Sequence, residues 1–355
     1  MKQKLKVGLI GLGGIMTNAH MHAYMESEVV EIVSICDILP EKIESFQKKF
    51  GLESVHTYTD YTKMLKEENL DYVDICTPNY LHSIISVDAL NTGVHVFCEK
   101  PDAVSVSEAL RMKEAAEKNN KHLMVMRNNR YRTKARYLKN YIEEGGMGEI
   151  YCGCCGWQRR RGIPGKGGWF TTKEMSGGGP LIDLGVHMID LAIWLMGNPA
   201  PISVSGATYR KFADSNISDS VHSAFGEEKP DGIFDVEDLA MGFIKFDNGA
   251  CLQVEFSWAS NIEKENAFVE LRGTKAGAKM NDETIKIFTE KAGVLEDVLP
   301  KLTDQPGTHA ANINHFIQVL LGEAEPDFAP IQGVNMIKIL EAMYKSAESG
   351  AEIRF

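Results

Sequence analysis

Positive charge is in deficit in this chain of 355 residues: 38 Lys and Arg against 49 Asp and Glu leave a formal net charge of −11. So acidic a chain stays soluble by self-repulsion and lacks the basic footprint of a general nucleic-acid binder. No run reaches the roughly 18 consecutive apolar residues expected of a membrane span. The opening stretch "MKQKLKVGLIGLGG" has no signal-peptide cleavage site and runs directly into patterned sequence. Cysteine is sparse, odd in number at seven, and scattered, which reads as reduced thiols in a cytoplasmic protein. Internal repeats and low-complexity tracts are missing too. What remains is an ordinary globular composition, 44% hydrophobic and 25% charged, in a chain long enough for two domains.

The first third alternates apolar runs ("LKVGLIG", "EIVSICD", "YVDICT", "VHVFCE", "HLMVM") with amphipathic stretches such as "PEKIESFQKKF" and "VSEALRMKEAAEKN". Near-continuous apolar strands separated by helices predict a parallel sheet covered on both faces, a doubly wound α/β domain over residues 1–126. The first strand enters "GLGGIM". Gly11 and Gly13 fit the first two positions of the dinucleotide fingerprint G-x-G-x-x-G, one for the tight turn and one for close approach of a pyrophosphate to a helix N-terminus. The third position is Met16, whose long side chain is expected to loosen helix–strand contact or shift the register. Tight turns also need glycine without binding anything. The second strand ends in Asp37, an acid placed to accept hydrogen bonds from the adenosine ribose. It would repel a 2′-phosphate, and Ile38 and Leu39 bring no cation, so NAD is expected rather than NADP.

"DICTPNYLH" and "FCEKP" place their strand ends at the same sheet edge, where open α/β sheets bind ligands. Pro101 restricts Lys100 to extended backbone and fixes its aim. Glu99 and Lys100 otherwise read as a surface ion pair.

After residue 126 the pattern changes. "TKARYLKNYIEEGGMG" reads as a helix, and strand-like runs follow with few helices between: "EIYCGCCGW", "ISVSGATY", "LAMGFIKF", "GACLQVEFSW" and "AFVELRG". "FDNGA" signals a hairpin. Residues 127–355 are thus expected to form an α+β domain with a mostly antiparallel sheet, interrupted by a long irregular loop from Lys211 to Glu237. Two helices and a last short strand, "EIRF", close the chain. "SGGGPLIDLGVHMIDLAIWLMG" is apolar nearly all round except Asp183, His187 and Asp190, which fall on one stripe. A buried helix with a polar stripe needs a partner or a wet cleft there. Asp190, a turn deeper, reads as structural, and Asp183 and His187 as functional. Asp and His at this spacing also suit a metal. "CGCC" is a poor donor of further ligands, because strand alternation sends Cys154 and Cys155 to opposite faces, and no metal is expected. "WQRRRGIPGKGGWF" brings cations and two tryptophans, suited to the hydroxyls and CH faces of a sugar, or simply a solvated basic loop.

The ordered set "GLIGLGGI", "ICD", "TPNYLH", "CEKP", "GGGPLIDLGVHMIDLAIWLMG", "FDNGA", "RGTKAG" and "LEAMYKSAESG" resembles the Gfo/Idh/MocA family, that of glucose–fructose oxidoreductase and inositol dehydrogenase, nearly end to end. The resemblance implies a Rossmann domain, a second domain whose open sheet often forms a subunit interface, bound nicotinamide cofactor, and oxidation or reduction of a sugar, glycoside or polyol carbon. It puts cofactor contacts at Gly11, Gly13, Gly14, Ile15 and Asp37, at Thr77, Pro78, Asn79 and His82, and at Glu99 and Lys100. It makes Lys100, Asp183 and His187 catalytic, with Lys100 and His187 sharing one substrate oxygen, and it puts Arg130, Trp157, Arg161 and Trp169 at the substrate with Asp183 and His187. The tryptophan-bearing loop resembles that of members acting on glycosides at the sugar C3 hydroxyl. The expected protein is a cytoplasmic homodimer or homotetramer with NAD and a small carbohydrate as partners. Three other readings stay open: a redox-neutral NAD-dependent glycosidase, a non-enzymatic sugar sensor of the same fold, and a nucleotide-sugar dehydrogenase with Arg159 to Arg161 on a diphosphate.

Overall fold

A computed structural model of the chain describes residues 4–303 and 307–355. It divides into two compact units. The first joins the chain up to Met126 with Gly307–Val334, and the second joins the chain from Arg127 with Asn335–Phe355. The sequence division at 126 left 307–334 with the second domain; in the structure this segment groups with the first sheet.

The first unit is built on six strands: β1 (Leu5–Ile10), β2 (Val30–Cys36), β3 (His56–Tyr58), β4 (Tyr72–Ile75), β5 (His95–Cys98) and β6 (Leu123–Val125). They are parallel throughout and ordered β3-β2-β1-β4-β5-β6. That is the doubly wound dinucleotide-binding order, whose ligands lie outside the C-terminal strand ends. Every residue of β4 is buried, as two covered faces require. The helices have local causes. Pro40–Phe50 starts with proline in its first turn and stops at Gly51 in the left-handed region (φ +67°). Val106–Asn119 starts at Ser105, whose hydroxyl accepts from the Glu108 backbone N–H, and ends at the left-handed Asn120. The returning helix Thr308–Leu320 lays Phe316 edge-on to Tyr72 and beside Phe97, ring centroids 5.6 and 5.4 Å away. It thereby covers part of the sheet.

The second unit carries nine strands: β7 (Ile150–Gln158), β8 (Pro201–Tyr209), β9 (Leu239–Phe246), β10 (Cys251–Ser257), β11 (Asn266–Gly273), β12 (Ala276–Asn281), β13 (Ile285–Lys291), β14 (Val294–Val298) and β15 (Ile353–Arg354). Their order is β14-β13-β12-β11-β7-β10-β9-β8-β15, antiparallel except for the β7–β10 pair. "FDNGA" makes the β9–β10 hairpin, with Gly249 at φ +85°. The register aligns Cys155 and Trp157 of β7 with Val254 and Phe256 of β10, on the face that packs inward. Cys155 is buried and Cys154 half-buried, as alternation dictates, and all seven cysteines are free thiols.

Over this inner face lies the apolar helix, as a π-helical turn Leu181–Gly185 running into Val186–Leu195. Gly185 permits the close approach: a Cβ there would sit 3.3 Å from the Phe256 ring. The run Lys173–Leu195 contains an 18-residue window with the mean hydropathy (1.3) of a membrane span, and 83% of that window is buried inside the protein. Its apolar surface is core. Among the described residues, Lys211 to Glu237 holds one short 3-10 turn, Val221–Ala224, and is otherwise irregular.

Candidate active site

The glycine turn shows which glycines the fold itself requires. Gly11 has φ +87°, and a Cβ there would lie 2.6 Å from the Cys76 carbonyl oxygen; turn geometry alone accounts for it. Gly13 has no positive φ, and a Cβ on it would meet nothing within 4 Å. Internal packing gives no reason for glycine at 13, whereas a pyrophosphate brought against the backbone does. The Thr77 hydroxyl, at the facing strand end, is buried without a partner among the described residues. An open cradle and an orphaned donor both fit a dinucleotide.

Asp37 is tied directly to that turn. One carboxylate oxygen accepts from the Leu12 N–H at 2.9 Å and the other from Leu39 at 3.0 Å. Met16 is fully buried and begins a π-helical turn, Met16–His20. The widened turn is where the departure from the fingerprint is absorbed. Ile15 is partly exposed beside it.

The two strand-end loops are joined by His82. Its Nδ1 faces the Pro101 carbonyl at 2.7 Å and its Nε2 the Thr77 carbonyl at 2.8 Å. His82 is 1% exposed, and burial holds its pKa below the usual value. It acts as a brace between loops. Pro78 caps, and Asn79 begins, the helix Asn79–Asn91. The Lys100–Pro101 bond is cis. Glu99 is buried; one carboxylate oxygen accepts from the Lys100 N–H at 3.0 Å and the other meets His20 Nε2 at 2.9 Å. Glycine turn, Asp37, Thr77, His82, Glu99 and Lys100 thus lie along one connected sheet edge, which the sequence predicted. His20, Asp74 and Cys76, which it did not predict, form a buried cluster with ligand-type atoms within 4.8 Å of one another. These groups bond to each other: His20 Nδ1 to Asp74 at 2.8 Å, and Cys76 Sγ to His20 Nδ1 at 3.4 Å.

In the second unit Asp183 and His187 are half-buried on a helix whose other residues, Ile193 apart, are enclosed. Asp183 accepts from the Trp258 indole N–H at 3.0 Å, and Trp258 is itself fully buried, which fixes the carboxylate. The Trp157 ring lies 6.2 Å from the His187 ring and 5.9 Å from that of His222. The Arg159 guanidinium lies 5.1 Å from the same indole; burial lowers its pKa, and Asp183 and Glu265 oppose that. Burial and Arg159 likewise hold His222 below its usual range. His222 arrives on the irregular loop, where no local pattern marks it. The helix entrance is built by Glu237, whose carboxylate accepts from the Gly179 and Leu181 N–H groups at 2.9 and 3.1 Å and from the Tyr344 hydroxyl at 2.9 Å. A Cβ on Gly178 or Gly179 would strike Tyr344 or Glu237 at 2.0 Å, so the "GGG" is a packing requirement.

The other expected substrate residues have partners within the protein. Arg130 is 1% exposed and grips Asp190 through two nitrogens at 2.8 and 2.6 Å, while Arg127 adds a third bond at 2.9 Å. Arg130 and Asp190 therefore form one buried ion-pair cluster, and the structure gives Arg130 a structural partner in place of an open face. Arg161 donates to the Arg160 and Ser260 carbonyls and to Asn261, and its guanidinium lies over Phe212. Trp169 stacks on Phe170 at 3.9 Å.

A parallel sheet in this order, with an open glycine turn and an acid at its edge, is the Rossmann architecture of dinucleotide-binding domains, here joined to a sheet-rich second unit. Residues 5–127 match the family model described as "Oxidoreductase family, NAD-binding Rossmann fold", and residues 135–279 match the GFO/IDH/MocA C-terminal domain. The chain belongs to the Gfo/Idh/MocA family. It is 33% identical over 350 residues to D-glucoside 3-dehydrogenase of Escherichia coli, covering 98% of this chain and 97% of that protein. It is 32% identical over 296 residues to levoglucosan dehydrogenase of Pseudarthrobacter phenanthrenivorans, covering 79% and 74%. A solved levoglucosan dehydrogenase in complex with NADH and levoglucosan superposes with a TM-score of 0.83 at 26% identity over 99% of both chains.

Proposed function

We propose that this protein is an NAD-dependent dehydrogenase that oxidises a secondary hydroxyl of a glycoside, with the C3 hydroxyl of a glucoside as the preferred position. The observation that carries this reading is the half-exposed Asp183–His187 stripe on an otherwise buried helix, walled by Trp157. Full-length similarity to a D-glucoside 3-dehydrogenase supports it. Bound NAD supplies the hydride acceptor. The chain must then remove the hydroxyl proton. Lys100 and His187 are the groups assigned to that task; imidazole works near neutral pH without adjustment. Asp183, fixed by Trp258, orients the sugar through an adjacent hydroxyl or holds the imidazole. Trp157 offers an apolar face to the CH groups of a pyranose. The cofactor contacts assigned to this reading are Gly11, Gly13, Gly14, Ile15 and Asp37 on the glycine side, and Thr77, Pro78, Asn79, His82 and Glu99 on the other.

The reading includes a cytoplasmic compartment, supported by seven free thiols. It also includes a homo-oligomer, supported by Phe243, Met241 and Tyr209, which remain exposed on the outer face of the large sheet. A set of glucosides and free sugars incubated with NAD and followed at 340 nm tests the function. NADH formation with a glucoside supports it; release of free sugar without NADH would point to the redox-neutral glycosidase instead.

A further inference from the structure

His20 stands in a buried hydrogen-bonded chain that the chemistry above does not use. Its ring is fully enclosed. Nδ1 meets Asp74 Oδ2 at 2.8 Å, and Nε2 meets Glu99 Oε1 at 2.9 Å. The Tyr24 hydroxyl donates to the same Asp74 oxygen at 2.6 Å. Glu99 Oε2 in turn accepts from the backbone N–H of Lys100 at 3.0 Å. The chain runs without a gap from Asp74 through His20 and Glu99 to the Lys100 backbone.

We propose that His20 is a positioning residue for Lys100: clamped between two carboxylates, it holds Glu99 in the orientation that grips the Lys100 amide and so fixes where the lysine side chain starts. This rests on the reading of Lys100 as a proton-transfer group. The donor count supports it. Between two ionised carboxylates, which only accept, an imidazolium donates to each through one ring nitrogen. A neutral ring would set a lone pair against one carboxylate. The titratable groups facing His20 are Tyr24 from its own helical segment, Asp74, Tyr72 and Cys76 from β4 and its end, Glu99 from the end of β5, and His309 from the helix Thr308–Leu320, its ring 6.2 Å away. Burial opposes the charge on His20, and Asp74 and Cys76 together more than restore it, leaving the pKa well above the usual histidine value. Burial likewise pushes Glu99 up, and the His20 hydrogen bond and charge reverse that. The site where His20 enters is the π-helical turn after the glycines, a distortion frequent at functional positions.

The test has two arms. The first is independent of any sugar. In the unmodified protein, nitrogen NMR of labelled histidine at pH 8 is expected to show His20 protonated at both ring nitrogens, and hydrogen exchange to show a protected Lys100 amide. In His20→Gln that protection is expected to fall at least about tenfold. The second arm is kinetic: His20→Gln should lower kcat about 10- to 100-fold while NADH affinity, read by fluorescence, stays within about 3-fold. A lower melting temperature with kcat and Lys100 protection unchanged would make the cluster merely structural and overturn the proposal. So would a singly protonated His20 at pH 8, which decides the matter even if the variant fails to fold. If no sugar is oxidised by the unmodified protein, the functional reading fails by itself, and the first arm still reports on the clamp.

Discussion

Replacing Asp37 by Ala separates its bracing of the glycine turn from the ribose contact proposed for it. In the structure its oxygens accept from Leu12 and Leu39 at 2.9 and 3.0 Å, so the variant first loses two backbone hydrogen bonds. At a half-exposed position these contribute about 1 kcal/mol each, about 2 kcal/mol in all. That loss loosens the glycine turn and weakens every dinucleotide equally. The proposed contact is specific to the ribose. A hydrogen bond from the 2′-hydroxyl to a charged acceptor contributes about 1.5–3 kcal/mol, or roughly 10- to 150-fold in affinity, and it exists for NAD only. The same charge repels a 2′-phosphate. The ratio of NADP to NAD dissociation constants is therefore the clean measure, because loosening of the turn cancels in it. The unmodified protein should prefer NAD, and in Asp37→Ala the ratio should fall at least about tenfold. Calorimetric titration with both cofactors measures it. An unchanged ratio, or tighter NADP binding by the unmodified protein, would refute Asp37 as the ribose acceptor and leave it as a brace for the turn.

Lys100→Met keeps the apolar stem and deletes the ammonium; turnover should fall about 100- to 10,000-fold with NAD affinity changed little, and near-normal steady-state turnover would return Lys100 to a strand-end role. Arg130→Ala should act on stability rather than on substrate KM, because it strips a buried partner from Asp190; with Arg127 still in place the cost should be about 2–4 kcal/mol in denaturant titration, and a stable variant with a raised KM would put Arg130 at the sugar after all. The raised pKa of His20 contributes stability that is fully present below the unfolded histidine value of about 6.5 and lost as pH rises through the folded one. The depressed pKa of Glu99 contributes stability present above about 4.3 and lost as pH falls through its folded value. Melting temperature should thus decline on the alkaline side in the unmodified protein and decline less in His20→Gln, and parallel curves would contradict the buried imidazolium. The exposed outer sheet face predicts a light-scattering mass of at least twice the 39.4 kDa of one chain, and a monomer at micromolar concentration would remove the oligomer from the account.

What could be read from the sequence was what is local. Apolar runs alternating with amphipathic stretches located five strands of the parallel sheet and helices between them. The three-residue β3 was too short to show a period, and β14, exposed along its whole length, has no buried face to imprint one. The glycine turn was legible because a tight turn constrains its own residues; the structure then distinguishes Gly11, needed by the turn, from Gly13, where a Cβ would meet nothing within 4 Å. The polar stripe at Asp183 and His187 was legible from helical periodicity. The Arg130–Asp190 pair was not legible for a physical reason: an arginine that compensates a buried aspartate and one that meets a ligand look identical in a string of letters. The His20 clamp joins positions far apart in the chain. Its one available signal was Asp74 within "YVDIC", a charge inside a strand buried on both faces, which must have a partner.

A glucoside carrying deuterium at C3 tests the central claim most directly. Incubated with the protein and NAD, it should yield NADH that contains the deuterium, one equivalent per keto-sugar formed, and both should form about 100- to 10,000-fold more slowly with Lys100→Met. NADH formed without deuterium would move the oxidation to another carbon. Consumption of the glucoside with neither NADH nor a keto-sugar would contradict the dehydrogenase itself.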